Sequence, residues 1–235
     1  MAETGILHGV GLGPGDPGLI TRRAAALIEG ARVIAYPSLA GGASLARAIA
    51  AELIPNGVRE ICIDVPMTLE RAPAQAAYDV GAAEIAEVLT KGTDVVALCE
   101  GDPLFYGSFM YLQARLAANF HVEIVPGVTS MTACAALAGL PLAARDGVVT
   151  VLPATLPDPS LLARMAGAGT IVLMKLGRHL PRIRALLEAE GLSGRAHYVA
   201  RAGFADAACL PLAKAPERAP YFSMILVARE SDPWL

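Results

Sequence analysis

The sequence predicts an α/β protein of two domains, in which a mostly parallel five-stranded sheet is followed by a smaller mixed sheet. Two patterns support this. Short β-branched runs alternate with longer segments of helical periodicity through the first 142 residues, which is typical of a parallel sheet with crossover helices. After Gly139-Leu140-Pro141 the alternation starts again among Pro-rich turns. We therefore predict an N-terminal domain over residues 1–142 and a C-terminal domain over residues 143–235, with a ligand cleft between them.

Five N-terminal segments are short and apolar enough to be strands that are buried on both faces: residues 6–12, 33–36, 60–65, 95–99 and 122–125. Between them, three segments place apolar residues at three- and four-residue spacing, which predicts helices over 44–53, 74–89 and 104–116. In the second domain the predicted strands are 148–152, 170–176, 197–200 and 222–228.

The composition argues against several classes of protein. With 54% hydrophobic and 17% charged residues, the 235-residue chain has enough apolar surface to fold and is not disordered. Every apolar run is interrupted well before the roughly 18 residues that a membrane span needs, and no signal-peptide pattern opens the chain. A net charge of −3 gives no global positive field for nucleic acid. The four cysteines form no CxxC pair and the four histidines show no ligand spacing, so we expect a reducing cytoplasm and no metal.

The first predicted strand runs into a glycine-rich corner, Gly9-Val10-Gly11-Leu12-Gly13-Pro14-Gly15-Asp16-Pro17-Gly18. Its last six residues match GxGxxG, but Pro14 and Pro17 lack N–H donors and Asp16 would repel a phosphate. The residues after Gly18 are not the Lys and Ser or Thr of a P-loop. These features disfavour a dinucleotide or nucleoside triphosphate site. They predict a tight turn with Asp16 as N-cap and Pro17 at the first helical position.

Two further corners follow predicted strands in the same way. They are Cys99-Glu100-Gly101-Asp102-Pro103-Leu104-Phe105-Tyr106-Gly107 and Val125-Pro126-Gly127-Val128-Thr129-Ser130. Gly101 would let a ligand touch the main chain, and Asp102 is either an N-cap or a group that attracts a cation such as an amino group or a sulfonium. Because the carboxyl ends of parallel strands meet at one edge of a sheet, we expect the three corners to converge there and form a ligand site.

The three corners, in this order and spacing, resemble the tetrapyrrole methylase family of S-adenosylmethionine-dependent enzymes. The resemblance covers essentially the whole chain. It implies a homodimer in which each chain carries two α/β domains with the cofactor between them. Residues 101–112 and 221–226 are most similar to the family members that methylate precorrin-2 at C20 in cobalamin biosynthesis.

The resemblance also implies which residues contact S-adenosylmethionine. Gly101, Asp102 and Pro103 would border its methionine part, with Phe105 and Tyr106 close by. Thr129 and Ser130 match another contact pair, and Met174 would lie against adenine. Ser223 falls where the last strand meets the cofactor, and Pro14 lies in a loop that faces the cleft and the substrate. The complete set of predicted contacts is Pro14, Gly101, Asp102, Pro103, Phe105, Tyr106, Thr129, Ser130, Met174 and Ser223.

Methyl transfer from a sulfonium requires little side-chain chemistry. The leaving group is neutral and the enamine-like bridge carbon attacks directly, so the protein mainly aligns the reactants and excludes water. A proton must then leave C20, and the residues that could accept it are Asp16, Glu100, Asp102, His8 and Tyr106. For His8, a hydrogen-bonded role in the core is the competing interpretation.

Precorrin-2 carries eight carboxylates, so cationic side chains should face it. The candidates are Arg22, Arg23, Arg145, Arg178 and Arg201. Three alternatives stay open at this point: methylation of cobalt-precorrin-2, a methylase of the same fold that acts on another position or on a non-tetrapyrrole, and a noncatalytic nucleotide-binding module. We expect neither a nucleic acid nor a membrane as a partner of this protein.

Overall fold

The computed structural model describes residues 4–39, 42–66 and 70–228. The chain divides into two compact units, one up to Thr129 and one from Ser130. The sequence prediction placed the domain boundary after residue 142. The intervening segment contains a helix, Ser130–Ala138, which packs against strands of the second sheet, and these contacts place it in the second unit.

In the described residues, the first unit holds a five-stranded parallel sheet with strand order β3-β2-β4-β1-β5. Its strands are β1 (Leu7–Gly11), β2 (Val33–Leu39), β3 (Arg59–Val65), β4 (Val95–Cys99) and β5 (Val122–Val125). Its helices are α1 (Arg22–Glu29), α2 (Leu45–Ile49), α3 (Arg71–Thr90) and α4 (Phe109–Leu116). The predicted parallel sheet is confirmed, and α1 is an addition to the three predicted helices.

Helices cover both faces of this sheet. Along β1, Leu7 packs into the apolar cluster with residues of α3 and α4, whereas Val10 packs into the cluster with residues of α1 and α2. Every residue of β1 and β4 is buried, as expected for central parallel strands. The Asp16 side chain accepts the Gly18 N–H at 2.8 Å and caps the short 3-10 turn Pro17–Leu19. The predicted N-cap is therefore confirmed.

The second unit holds a mixed sheet with strand order β6-β7-β10-β8-β9 in the described residues. Among its described strands, β6 and β7 pair in parallel and the other neighbours pair antiparallel. Its strands are β6 (Val149–Pro153), β7 (Thr170–Met174), β8 (Ala196–Ala200), β9 (Ala208–Pro211) and β10 (Ser223–Ala228), and its helices are α5 (Ser130–Ala138), α6 (Asp158–Met165) and α7 (Leu180–Ala189). The mixed sheet was predicted and β9 was not. No helix in the described ranges is long and apolar enough to cross a membrane.

Helix α3 lies close against the edge strand β3. Gly81 is buried in the middle of α3, and a Cβ atom placed on it would lie 2.7 Å from Cγ1 of Ile63. A glycine inside a helix costs about 1 kcal/mol relative to alanine. Glycine lowers the helix propensity at this position, but because it has no side chain, the helix backbone can approach the sheet closely.

We expect Gly81→Ala to lower the free energy of unfolding by about 1–3 kcal/mol, because overpacking outweighs the gain in helix propensity. Urea unfolding measures this change. Adding Ile63→Val removes the Cδ1 atom, which lies 2.9 Å from the added Cβ, and should restore part of the loss. Gly194→Ala is the control, since its Cβ would meet no atom within 4 Å. A Gly81→Ala variant as stable as the wild type would contradict the close packing.

Candidate active site

The three glycine corners meet at the carboxyl-terminal edge of the first sheet, which confirms the expected convergence. The Gly101 N–H donates to the Gly13 carbonyl at 2.7 Å, and the Gly13 N–H donates to the Gly101 carbonyl at 3.2 Å. A Cβ on Gly11 would lie 2.6 Å from the nitrogen of Gly127, and a Cβ on Gly127 would overlap the Gly101 carbonyl oxygen. Only glycine fits at positions 11 and 127, because the backbones of the corners touch there.

The carboxylate of Asp102 holds the second and third corners together. Its Oδ1 atom accepts the N–H groups of Leu104 at 2.9 Å and Phe105 at 3.1 Å. Its Oδ2 atom accepts the N–H of Gly127 at 3.1 Å. Helix α4 begins later, at Phe109, so Asp102 caps the turn of the corner and not the helix. The predicted helix N-cap is therefore wrong for Asp102, which closes a turn instead, and the bond to Gly127 adds a tie that the sequence did not indicate.

The second corner combines open space with an unusual backbone. Gly101 has φ +66°, and a Cβ placed on it would meet no atom within 4 Å. A ligand therefore has room beside this residue. Tyr106 also has a positive φ, 58°, which is uncommon for a non-glycine residue. Its exposed ring lies edge-on to Phe105 at a centroid distance of 5.2 Å. Such backbone strain tends to cluster at functional sites.

Glu100 lies directly before Gly101 and is partly buried. Burial raises the pKa of its carboxyl group, and a hydrogen bond from the backbone N–H of Ala46 partly opposes this rise. A carboxyl group whose pKa is raised by burial next to a proposed ligand site is a candidate for proton transfer. Of the five residues considered for the C20 proton, Glu100 is therefore the one that its surroundings favour.

His8 lies away from these corners, toward the amino-terminal edge of the sheet. It is the second residue of β1 and is buried. Its Nε2 atom lies 3.9 Å from Oδ2 of Asp94, and its Nδ1 atom lies 3.5 Å from Oε2 of Glu123. The buried position away from the corners supports a core role and removes His8 from the candidates for proton transfer, but its Nδ1 atom has no hydrogen-bond partner among the described residues. Asp16 is occupied by capping, as described above.

In the second unit, Met174 and Ser223 lie at the edge of the mixed sheet where β7 ends and β10 begins. Met174 ends β7, Ser223 begins β10, and the register pairs Met174 with Met224. Both side chains are buried, and the Ser223 hydroxyl donates to the Pro220 carbonyl at 2.7 Å. This edge is where the resemblance expects adenine.

The predicted cofactor contacts fall into two groups. The first unit contains Pro14, Gly101, Asp102, Pro103, Phe105, Tyr106 and Thr129, and the second unit contains Ser130, Met174 and Ser223. Pro14 and Pro103 are buried next to the glycines of their corners. Thr129 is the last residue of the first unit, and Ser130 opens α5. No group of three or more His, Cys, Asp or Glu side chains in the described ranges is placed to hold a metal ion.

The arginines proposed to meet substrate carboxylates differ in their surroundings. Arg23 pairs with Glu123 at 3.1 Å, and Arg201 pairs with Asp206 at 2.6 Å. Arg178 lines a cavity in the second unit together with Arg184 and Arg218, which the sequence did not single out. The sequence does contain one indication of this cluster: residues 175–184 include several basic residues and no acidic one.

Glu100→Gln tests the effect of burial. The folded state raises the pKa of Glu100 and so favours its protonated form. The contribution of this protonated carboxyl group to the free energy of unfolding is fully present below the unfolded pKa, and it is lost as the pH rises through the folded pKa. Glutamine keeps an oxygen for the Ala46 N–H and carries no charge. We expect the variant to be more stable than the wild type at pH 7.5, with a smaller difference at pH 4, in urea unfolding. Glu188→Gln at an exposed position is the control, and equal differences at both pH values for Glu100→Gln would contradict this account.

The chain matches known proteins along most of its length. Residues 6–214 match the model of the Tetrapyrrole (Corrin/Porphyrin) Methylases. The chain is 43% identical to a precorrin-2 C(20)-methyltransferase from a Sinorhizobium species, over 97% of both proteins. It is 31% identical to the cobalt-precorrin-2 C(20)-methyltransferase of Salmonella typhimurium, over 96% of this chain and 97% of that protein. It also matches 46% of the cobalamin biosynthesis protein CobIJ of Mycobacterium tuberculosis at 44% identity.

Solved structures share the fold. Uroporphyrin III C-methyl transferase from Thermus thermophilus superposes with a TM-score of 0.67 at 26% identity, covering 96% of this chain and 98% of that one. The cobalt precorrin-4 methyltransferase structure superposes with a TM-score of 0.72 at 23% identity, covering 95% and 94% of the two chains, and supports the fold alone. The corners, the two sheets and these matches lead to one conclusion: the chain belongs to the tetrapyrrole methylase family.

Proposed function

We propose that this enzyme transfers the methyl group of S-adenosylmethionine to C20 of precorrin-2, giving precorrin-3A in cobalamin biosynthesis. The observation that carries the proposal is the 43% identity to a precorrin-2 C(20)-methyltransferase along nearly the full length of both proteins. Identity to the cobalt-precorrin-2 enzyme is lower, at 31%, which favours the metal-free substrate. Family membership argues against the alternative of a noncatalytic nucleotide-binding module.

The geometry of the corners suits the cofactor. The open space beside Gly101 leaves its main chain accessible, and Asp102 fixes the corner next to Gly127. A carboxylate close to this surface also favours a positively charged sulfur. Bound there, the cofactor would supply a methyl group on a sulfonium, so no acid is needed for the leaving group. The chain's task is to hold the reactants in line, and Glu100 is the group we assign to proton transfer from C20.

The ten predicted contacts remain the cofactor contacts of this proposal. We also propose that the enzyme is a homodimer, as the family resemblance implies, and that it acts in the cytoplasm. The acidic net charge of −3 and the scattered, unpaired cysteines are compatible with that setting. A methylase of the same fold acting on another position is the remaining alternative within the family.

Anaerobic incubation with S-adenosylmethionine and precorrin-2, followed by mass analysis, tests the reaction. We expect a product heavier by one methyl group, with labelled carbon at C20. Methylation only after cobalt insertion would assign the enzyme to cobalt-precorrin-2. Modification of another carbon would support the same-fold alternative, and no reaction with either substrate would withdraw the proposal.

We expect Asp102→Asn to weaken S-adenosylhomocysteine binding more than it weakens the fold. Asparagine retains one oxygen for Leu104 and Phe105, but its amide nitrogen cannot accept the N–H of Gly127. Losing that bond should cost about 1 kcal/mol of stability. Because the second and third corners would no longer be tied, the affinity should fall by about tenfold or more. Calorimetric titration and urea unfolding measure the two effects.

Asp94→Asn is the matched control. Asp94 also accepts a backbone N–H, that of Ile6 at 2.7 Å, but at the opposite edge of the same sheet. We expect it to lower stability and leave the affinity unchanged. If Asp102→Asn lost several kcal/mol of stability while its affinity stayed intact, Asp102 would be purely structural.

A further inference from the structure

The second unit carries a cavity of about 620 Å³ that none of the predicted cofactor contacts lines. One wall is formed by the segment after β7 and the start of α7, with Arg178 and Arg184. The other wall is formed by the segment before β10, with Glu217 and Arg218. The volume falls within the range of about 300–1,000 Å³ typical of small-molecule sites.

The charges in this cavity are predominantly positive. Three arginines face one carboxylate, and the side chains of Arg178 and Arg218 are exposed. The ion pairs found within the described ranges include neither of these two arginines. Their guanidinium groups are therefore available to an anionic ligand.

Arg184 has a different task. Its Nη2 atom donates to the carbonyls of Ala215 at 2.5 Å and Pro216 at 2.9 Å. These bonds tie α7 to the segment before β10, which fixes the two walls relative to each other. Arg184 is thus a positioning residue, and Arg178 and Arg218 are the residues that would contact a ligand.

The pKa of the neighbouring His179 is affected by the same positive charges. The pKa of His179 is lowered, first by burial and then by the charges of Arg182 and Arg178. Arg182 is itself engaged by Asp158 and by the Ala154 carbonyl. The positive charge that remains for a ligand is therefore concentrated on the cavity walls.

The cavity lies next to the sheet edge that carries two predicted cofactor contacts. Gly177 follows Met174 by three residues, and Ala219 precedes Ser223 by four. Because Met174 and Ser223 end and begin paired strands at one edge, both cavity walls start from that edge. A substrate that reaches this edge would present its peripheral groups to the cavity.

We infer that this cavity binds carboxylate groups of the tetrapyrrole substrate through Arg178 and Arg218, an inference that rests on the proposed function for the identity of the ligand. Planar guanidinium groups suit carboxylates because they can form two parallel hydrogen bonds. Precorrin-2 carries its carboxylates on side chains around the ring. The cavity is large enough to hold one of these side chains, which is bigger than a small inorganic ion.

Binding of uroporphyrin III, a stable tetrapyrrole with eight carboxylates, tests the inference without any methyl transfer. We expect Arg178→Gln and Arg218→Gln each to weaken its fluorescence-monitored binding by about tenfold, and the double variant by more. With precorrin-2, KM should rise by a similar factor while kcat and S-adenosylhomocysteine affinity stay unchanged. Arg164→Gln is the control, since Arg164 is an exposed arginine of the same unit whose hydrogen bond within the described residues is to the Ser160 carbonyl.

The outcomes separate this inference from the proposed function. Wild-type methylation of precorrin-2 with unchanged binding and KM in the double variant would overturn the inference alone. Absence of methylation, with arginine-dependent uroporphyrin binding, would overturn the proposed reaction and support the cavity. Wild-type protein that binds no uroporphyrin would also overturn the inference. Thermal unfolding confirms that each variant is folded.

Discussion

The backbone contact among Gly11, Gly101 and Gly127 is the constraint on which the candidate site depends. Strands β4, β1 and β5 are neighbours in the sheet, so their carboxyl ends bring three corners to one place. A side chain at Gly11 or Gly127 would separate them, because its Cβ would overlap backbone atoms. The resulting surface is made of main chain, with space left open beside Gly101.

Such a surface needs its N–H groups satisfied, and Asp102 does this with one carboxylate. Two of its three bonds close its own corner, and the third reaches the next one. The residue that looks like a helix cap in the sequence is therefore a cross-link between corners. Hydrogen bonds to a charged acceptor are stronger than neutral ones, which suits a junction between two corners.

Electrostatics in this protein is local and not global. The net charge of −3 gives no indication of an anion site, yet the second unit gathers three arginines around one cavity. The antiparallel placement of β10 between β7 and β8 makes this possible. It brings the segment before β10 back to the segment after β7, so residues far apart in the chain share one cavity.

Much of the fold followed from local patterns. The bounds of β4 and β5 agree with the predicted ones, because a buried parallel strand is a short apolar run with clear ends. Helix α4 begins at Phe109 and not at 104, because Asp102 holds the preceding residues in the corner. The short strand β9 was missed, since four residues ending in proline give almost no periodic signal.

The sequence by itself determined the α/β class, the three corners and the resemblance to the family, because these depend on periodicity and motif spacing. Only the tertiary structure decided that Asp102 bonds Gly127, that Glu100 is partly buried beside Ala46 and that Arg184 and Arg218 join Arg178. The physical reason is that hydrogen-bond partners and burial are supplied by elements distant along the chain. Spacing within one segment carries no information about what packs against it.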